Sequence, residues 1–217
     1  MAAKKRARSD TDKLKRKDNI LKAAWVLYNK NGQISTVAEV AKQARLSKGS
    51  IYLYFKNKEE IYLQLFIEKI KQWMVSGGVI RIIETGAAGM SVDEVSSLVT
   101  QYIRENPLIL KLGNIVVAHL EDNRYEDIII ATKLQIAEVL MLSRDMITTI
   151  YPQIHPQEAM ALMLQSYSII SGLWQFNSSP EHIRKIIRER GVDVFDIDFS
   201  DIVRKSVSAL LKATLNA

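Results

Sequence analysis

The segment SKGSIYLYF, residues 47–55, combines hydroxyl, ammonium and phenol groups with a glycine. A helix capped by the serine would hold Ser47, Lys48, Gly49 and Ser50 in its first turn. A first turn presents free backbone N–H groups and a partial positive charge, which suit a phosphate or a base edge. Glycine costs about 1 kcal/mol of helix propensity relative to alanine, but it lets a backbone approach DNA closely. These residue types therefore indicate contact with a nucleic acid.

The same short helix, expected to end near Phe55, has two faces. Lys48 and Ser50 can donate to guanine edges or phosphates, and Tyr52 can reach a phosphate with its hydroxyl or a thymine methyl with its ring. Ile51 and Phe55 are four residues apart and should pack on the preceding helices. The alternative is a small satellite core with a solvated lysine rim, which leaves the Ser-Lys-Gly-Ser entrance unexplained.

Two more helix starts flank this segment. TVAE at 36–39 and NKEE at 57–60 both match the capping box. Lys56 and Lys58 lie around the second cap, close to the phenol of Tyr54. Three helix N-termini with lysines between them predict a surface that binds phosphates.

The remaining elements are predicted from apolar residues that recur at three- and four-residue steps. A helix over 12–31, two short helices and a longer one from 57 make a helix-turn-helix pattern. Further helices are predicted over about 91–106, 107–121, 125–151 and 156–177, within the stretch SSPEHIRKIIRERG at 178–191, and from a cap at Ser200 to the end of the sequence. No segment reads as a strand, so the fold class is all-α with about nine or ten helices.

Charge is unevenly placed along the 217 residues, whose net charge is +6. Residues 1–60 hold 15 Lys and Arg against 6 Asp and Glu, a net +9, and the remainder is −3. This is the distribution of a nucleic-acid-binding module joined to another domain, although residues 1–17 alone could be a solvated basic tail. We therefore predict a tail at 1–17, a DNA-binding domain at 18–66 and a helical domain at 67–217.

Other classes of protein are disfavoured. The chain has no cysteine, its basic start is not followed by an apolar stretch, and no apolar run approaches the roughly 18–20 residues that span a bilayer. His119, His155 and His182 have no metal-ligand spacing around them, and neither a phosphate loop nor a nucleophile elbow is present. We expect a cytoplasmic protein, nucleoid-associated when bound to DNA, with no catalysis, metal, cofactor or membrane partner.

The stretch ILKAAWVLYNKNG…STVAEVAKQARLSKGSIYLYFKNKEEIYLQLF, which begins at Ile20, resembles the DNA-binding domain of TetR/AcrR-family transcriptional regulators, and the match covers roughly residues 18–66. The resemblance implies a homodimer that binds double-stranded DNA, with a C-terminal domain that holds an effector pocket and the dimer interface. Carried over by position, the implied DNA contacts are Thr36, Lys48, Gly49, Ser50, Tyr52, Tyr54 and Lys58, to which the residue chemistry adds Ser47, Lys56 and Arg45. The family commonly has glycine where this chain has Arg45. Its guanidinium either adds a phosphate or base contact or is simply solvated.

The helix over 156–177 is apolar on two sides, so it is either a central core helix or one that faces both the core and a second subunit. For the second case, the predicted dimer interface is Met163, Ile170, Trp174, Val203, Val207 and Leu210. A small apolar or aromatic-containing effector is implied, and the predicted lining residues are Trp73, Met74, Tyr102, His119, Met141, Tyr167 and Trp174, each of which could equally be ordinary core. The expected function is a dimeric repressor of a palindromic operator. The alternative is a DNA-binding protein of the same fold without a small-molecule effector, nucleoid-associated or regulated by a protein.

Overall fold

The computed structural model describes residues 2–76, 90–119, 126–192 and 197–216, with backbone only at 2–10, 74–76 and 117–119. Within these residues the chain forms ten helices and no strand, so the predicted all-α class is confirmed. The helices are α1 (Ala2–Asn31), α2 (Val37–Ala44), α3 (Lys48–Tyr52), α4 (Lys58–Ser76), α5 (Val92–Glu105), α6 (Pro107–His119), α7 (Glu126–Ile150), α8 (Pro156–Asn177), α9 (Glu181–Glu189) and α10 (Phe199–Leu215). None of the described helices combines the length and the apolar character needed to cross a membrane.

The first of two units comprises residues 1–69 and 111–133. In its core α1 packs on α2 and α2 on α3. Asn19 Nδ2 donates to the carbonyl oxygen of Ala44 at 3.1 Å, which ties α1 to the end of α2. Ser35 N donates to the Tyr62 hydroxyl at 2.9 Å, which ties the start of α2 to α4. The α2–α3 pair is therefore held between two longer helices.

The second unit comprises residues 70–110 and 134–217, in which α10 packs against α5 and α8. One buried cluster contains Tyr151, Ile154, Leu162 and Leu211. A second cluster joins the three packed helices and contains Ile103, Ile170, Val203 and Val207. Helices α8 and α10 both contribute buried residues to both clusters, so this packed pair forms the centre of the unit.

Two helix starts differ from the sequence prediction. Helix α1 begins at Ala2 rather than near residue 12. Alanine, lysine and arginine are good helix formers, and a helix of such residues needs no apolar repeat to reveal it. The last helix is capped by Asp198, whose Oδ1 accepts from Asp201 N at 3.0 Å, so the prediction of Ser200 as the cap was wrong. Aspartate caps helices as well as serine does.

The two units interleave along the chain, and the predicted domain boundary at residue 67 stays a prediction. Residues 111–133, which include the end of α6 and the start of α7, group with the first unit. Apolar periodicity shows which face of a helix is buried, but not which distant helix covers it.

Candidate nucleic-acid interface

The first turn of α3 has the predicted cap. Ser47 Oγ accepts a hydrogen bond from Ser50 N at 3.1 Å, and the two hydroxyl oxygens are 2.8 Å apart. Ile51 and Phe55 are buried, whereas Tyr52 is 50% exposed. The helix ends at Tyr52, a turn earlier than expected. It has one face in the core and one in solvent.

Lys48 and Gly49 lie on the solvent side. Lys48 Nζ is 5.9 Å from the centroid of the Tyr52 ring, so these two side chains share a face. No carboxylate within the described part of the chain pairs with Lys48. A Cβ built on Gly49 would meet only Ser47 Oγ, at 3.9 Å, which is ordinary contact. The fold therefore has no steric need for glycine at this position.

The chain turns from α2 into α3 through a left-handed residue, Arg45, with φ 57° and ψ 42°. Arg45 N donates to the carbonyl oxygen of Lys42 at 3.2 Å, and Leu46 N donates to that of Ala41 at 2.9 Å. This is the Schellman pattern of helix termination, in which glycine is the usual left-handed residue. The arginine side chain is exposed.

The cap of α4 is built from its own first turn. Glu60 N donates to Asn57 Oδ1 at 2.7 Å, and Lys56 N donates back to Glu60 Oε2. Lys58 Nζ is 3.9 Å from Glu59 Oε1, at the limit of an ion pair. A phosphate that contacts Lys56 and Lys58 at this helix end would therefore lie close to the Glu60 carboxylate.

A contact that sequence reasoning missed joins this loop to α7. Lys56 Nζ lies 3.7 Å from Asp127 Oδ2, and both side chains are largely exposed. Tyr54, between α3 and α4, is half-buried. No local pattern could reveal the ion pair, because its partners are far apart in the sequence.

The start of α2 carries a complete capping box. Thr36 N and Thr36 Oγ1 donate to Glu39 Oε2 at 2.7 and 2.8 Å, and Glu39 N donates back to the threonine hydroxyl at 3.3 Å. The hydrogen bonds from the backbone and the side chain of Thr36 lower the pKa of Glu39. This helix end already holds a carboxylate, unlike the start of α3.

In the second unit, Trp73 and Tyr102 are the predicted pocket residues that meet. Their rings stack with centroids 5.5 Å apart and an interplanar angle of 21°. Burial raises the pKa of the Tyr102 phenol. The side chains of Met74 and His119, also predicted to line the pocket, lie outside the described residues.

The other three predicted lining residues do not join that stack. Met141 is 44% exposed and Tyr167 is 41% exposed. Trp174 is half-buried and meets Phe199 edge-on, with ring centroids 5.6 Å apart. Met141 and Tyr167 are therefore surface residues of the subunit. An apolar repeat in the sequence indicates a helix face but does not show what covers that face.

Half of the predicted dimer interface, three of its six residues, is core. Ile170, Val203 and Val207 are 4%, 0% and 5% exposed within a single subunit, which leaves them no surface for a second one. Met163 and Leu210 are half-buried. The core alternative for the helix over 156–177 is therefore correct for Ile170.

Exposed apolar side chains lie elsewhere on α7 and α8. Ile130, Leu134 and Met141 of α7 are 51%, 63% and 44% exposed. Their spacing of four and seven residues places them on one side of the helix. Leu164 and Tyr167 of α8 are 48% and 41% exposed. This set, which we call the apolar rows of α7 and α8, was visible in the sequence as a helical repeat but was not recognised as surface.

A short basic helix after a tight turn, held by two longer helices and followed by a helical unit, defines a helix-turn-helix transcriptional regulator. The chain belongs to the tetR family of bacterial regulatory proteins. Residues 20–65 match the family model described as "Bacterial regulatory proteins, tetR family", and residues 69–214 match "Tetracyclin repressor-like, C-terminal domain". The resemblance inferred from residues 18–66 is thus confirmed, and the family is one of DNA-binding transcriptional regulators.

Curated relatives match over short stretches. The fatty acid metabolism regulator protein of Bacillus subtilis is 48% identical over 56 residues, which are 25% of this chain and 29% of that protein. The HTH-type transcriptional regulator QacR of Staphylococcus aureus is 38% identical over 58 residues, 26% of this chain and 31% of QacR. The matches thus span less than a third of either relative.

Solved structures match over nearly the whole chain. A TetR-family transcriptional regulator from Mesorhizobium loti aligns with a TM-score of 0.64 and 16% identity, over 94% of this chain and 96% of that one. The fatty acid degradation regulator FadR from Bacillus halodurans aligns with a TM-score of 0.53 and 19% identity, over 90% and 94% of the two chains. At these identities the likeness establishes the fold alone.

Proposed function

We propose that the protein represses transcription as a homodimer on a palindromic operator, and that a small apolar or aromatic-containing effector releases it. The observation that carries the DNA-binding part is the solvent face of the α2–α3 pair. Lys48 is exposed there with no carboxylate partner among the described residues, beside a Gly49 that has no steric role in the fold. A free lysine attracts the negatively charged phosphates of DNA, and a glycine lets the protein backbone come close to them, so both properties suit a DNA-binding surface.

The proposed DNA contacts divide into two kinds. Lys48, Ser50 and Tyr52, at the entrance and on the solvent face of α3, would reach base edges as well as phosphates. The backbone at Ser47 and Gly49 would approach a phosphate. The contacts proposed to position the protein on phosphates are Thr36, Tyr54, Lys56 and Lys58. Thr36 and Lys56 must exchange a partner, Glu39 and Asp127 respectively, before they can do so.

Dimerisation is proposed through the apolar rows of α7 and α8. Ile130, Leu134, Met141, Leu164 and Tyr167 are each more than two-fifths exposed in the subunit. Such rows are unusual on a surface that stays in water and typical of one that meets another helix pair. Two recognition helices would then bind half-sites about 34–36 Å apart, which multiplies the modest affinity of one short helix.

The effector proposal is carried by the aromatic pair at the start of the second unit. Trp73 belongs to α4, the helix that begins in the DNA-binding unit, and it stacks on Tyr102 of α5. A ligand that inserts beside this stack would shift α4. It would thereby favour dimers whose recognition helices no longer fit both half-sites.

The test is a selection of bound sequences from a random pool of double-stranded DNA with the purified full chain. We expect an enriched palindrome, bound as a dimer, whose affinity falls steeply with salt. Enrichment of no sequence, with weak binding only, would support a nucleoid-type role and refute a specific operator. If no compound in a panel of apolar and aromatic molecules weakens binding to an enriched palindrome, the proposal of a specific DNA-binding regulator stands and the proposal of a small-molecule effector is refuted.

A further inference from the structure

Arg45 is the one non-glycine residue with positive φ in the described part of the chain. The two other residues there with positive φ, Gly32 and Gly191, are glycines. A left-handed residue with a side chain is strained because its Cβ crowds the following carbonyl oxygen. The Schellman hydrogen bonds of Lys42 and Ala41 would form equally well with glycine at this position. The backbone conformation at residue 45 therefore favours glycine, although the residue there is arginine.

The folded chain gains nothing visible from the guanidinium. The side chain of Arg45 is exposed, and no hydrogen bond or ion pair joins it to the rest of the described residues. Four other arginines, Arg144, Arg184, Arg188 and Arg204, pair with carboxylates at 2.6–3.0 Å, whereas the exposed Arg16, Arg104 and Arg190 resemble Arg45 in having no ion pair among the described residues. The strain at residue 45 is therefore not offset by a side-chain hydrogen bond or ion pair with any residue that the structure describes.

The surroundings of Arg45 favour an anion from outside the protein. Between residues 36 and 58 the only acidic residue is Glu39, which is engaged in the cap of α2. Lys42 and Lys48 flank Arg45 within three residues on either side, and neither has an ion-pair partner among the described residues. Like charges this close repel one another in the free protein, and a bound polyanion relieves that repulsion.

We infer that Arg45 contacts a phosphate of the operator backbone and adds affinity that compensates for its strained backbone. This rests on the proposed DNA-binding function of α3. A phosphate is favoured over a base because residue 45 lies in the turn before α3, outside the helix that would enter the groove. A guanidinium can bind a phosphate with two parallel hydrogen bonds, which a lysine cannot.

Three substitutions separate the side chain from the backbone. Arg45→Gly removes charge and strain, Arg45→Ala removes the charge but keeps the Cβ, and Arg45→Lys keeps both the charge and the Cβ. We expect Arg45→Gly to raise the melting temperature by about 2–4 °C and Arg45→Ala to leave it unchanged. Both should weaken operator binding by about 5–10-fold per half-site and reduce the salt slope by about 0.9 for each lost phosphate contact. Arg45→Lys should keep the salt slope and most of the affinity.

Binding is measured by fluorescence anisotropy of the full chain on the selected operator, between about 50 and 200 mM salt. The charge-matched control is Lys185→Gln, which removes an exposed cation of α9 in the second unit and should change neither affinity nor slope. Unchanged affinity and slope in Arg45→Gly would overturn the inference while leaving the proposed function intact, provided that Lys48→Ala still weakens binding. Full affinity in the glycine variant with a loss in the alanine variant would assign residue 45 a backbone role and also overturn it. Failure of the unaltered protein to bind DNA at all would instead refute the proposed function.

Discussion

Substitution of Gly49 by alanine should make the protein more stable and weaken its binding to DNA. The new Cβ would meet only Ser47 Oγ, at 3.9 Å, so the fold accommodates it without movement. Glycine in a helix is about 0.5–1 kcal/mol less favourable than alanine. For a chain of 217 residues, that gain corresponds to a rise of about 1–4 °C in melting temperature. On the DNA side, the methyl group holds the backbone of α3 away from the phosphate or base edge that it would approach, and we expect a loss of at least about tenfold in operator affinity.

The matched control is Gly172→Ala in the middle of α8. A Cβ there meets nothing within 4 Å, so this variant gains helix propensity in the same way. It should raise the melting temperature and leave operator binding unchanged. Calorimetry and anisotropy on both variants measure the two effects separately. If Gly49→Ala bound the operator as tightly as the unaltered chain, DNA would not approach the backbone at α3, and the reasoning would be refuted.

Three further predictions concern the charged loop, the core and the subunit contact. Lys58→Ala should weaken binding to all sequences and flatten the salt dependence, whereas Lys48→Ala should also relax base preference in a repeat selection; equal losses with unchanged salt slopes would contradict both assignments. Tyr28→Phe should leave the free energy of unfolding in urea unchanged or higher, because the buried phenol has no hydrogen-bond partner among the described residues; a loss above about 1 kcal/mol would reveal a missing partner. Burial raises the pKa of Tyr28 above its ordinary value of 10.0, so above pH 10 the phenol ionises more readily in the unfolded state and the free energy of unfolding falls as pH rises. The phenylalanine variant lacks this group, and its alkaline decline should be shallower. Leu134→Glu, on a side chain 63% exposed, should give folded monomers in sedimentation, whereas Ile170→Glu, on one 4% exposed, should unfold the chain; a stable Leu134→Glu dimer would rule out the proposed interface.

Much of the fold could be read from local patterns. The capping boxes at 36–39 and 91–94 have both of their reciprocal hydrogen bonds, and α8 spans the predicted 156–177. These features depend on residues three or four positions apart, so the sequence contains all that is needed to recognise them. The inward placement of Ile51 and Phe55 was predictable for the same reason.

What covers an apolar face could not be read in that way. The repeat that holds Leu134 and Met141 has the same spacing as the repeat that holds Ile170, yet the first is exposed in the subunit and the second is buried. Core and interface faces are both apolar, and only the packing of distant helices distinguishes them. The ion pair of Lys56 with Asp127 was missed for a related reason, since no short-range pattern relates its partners.

The turn into α3 breaks the rules of folding twice within five residues. Glycine is absent at residue 45, where the backbone is left-handed, and present at residue 49, where it is helical and a Cβ would fit. Each choice costs about 1 kcal/mol, so together they use about 2 of the 5–15 kcal/mol that stabilise a typical domain. A sequence arranged for folding alone would have the two residues exchanged. Both sites are exposed, and no contact within the described part of the chain requires either residue, so packing there does not account for the arrangement. A ligand that needs a cation before α3 and a bare backbone at its first turn accounts for both residues at once, and a DNA phosphate backbone has those requirements.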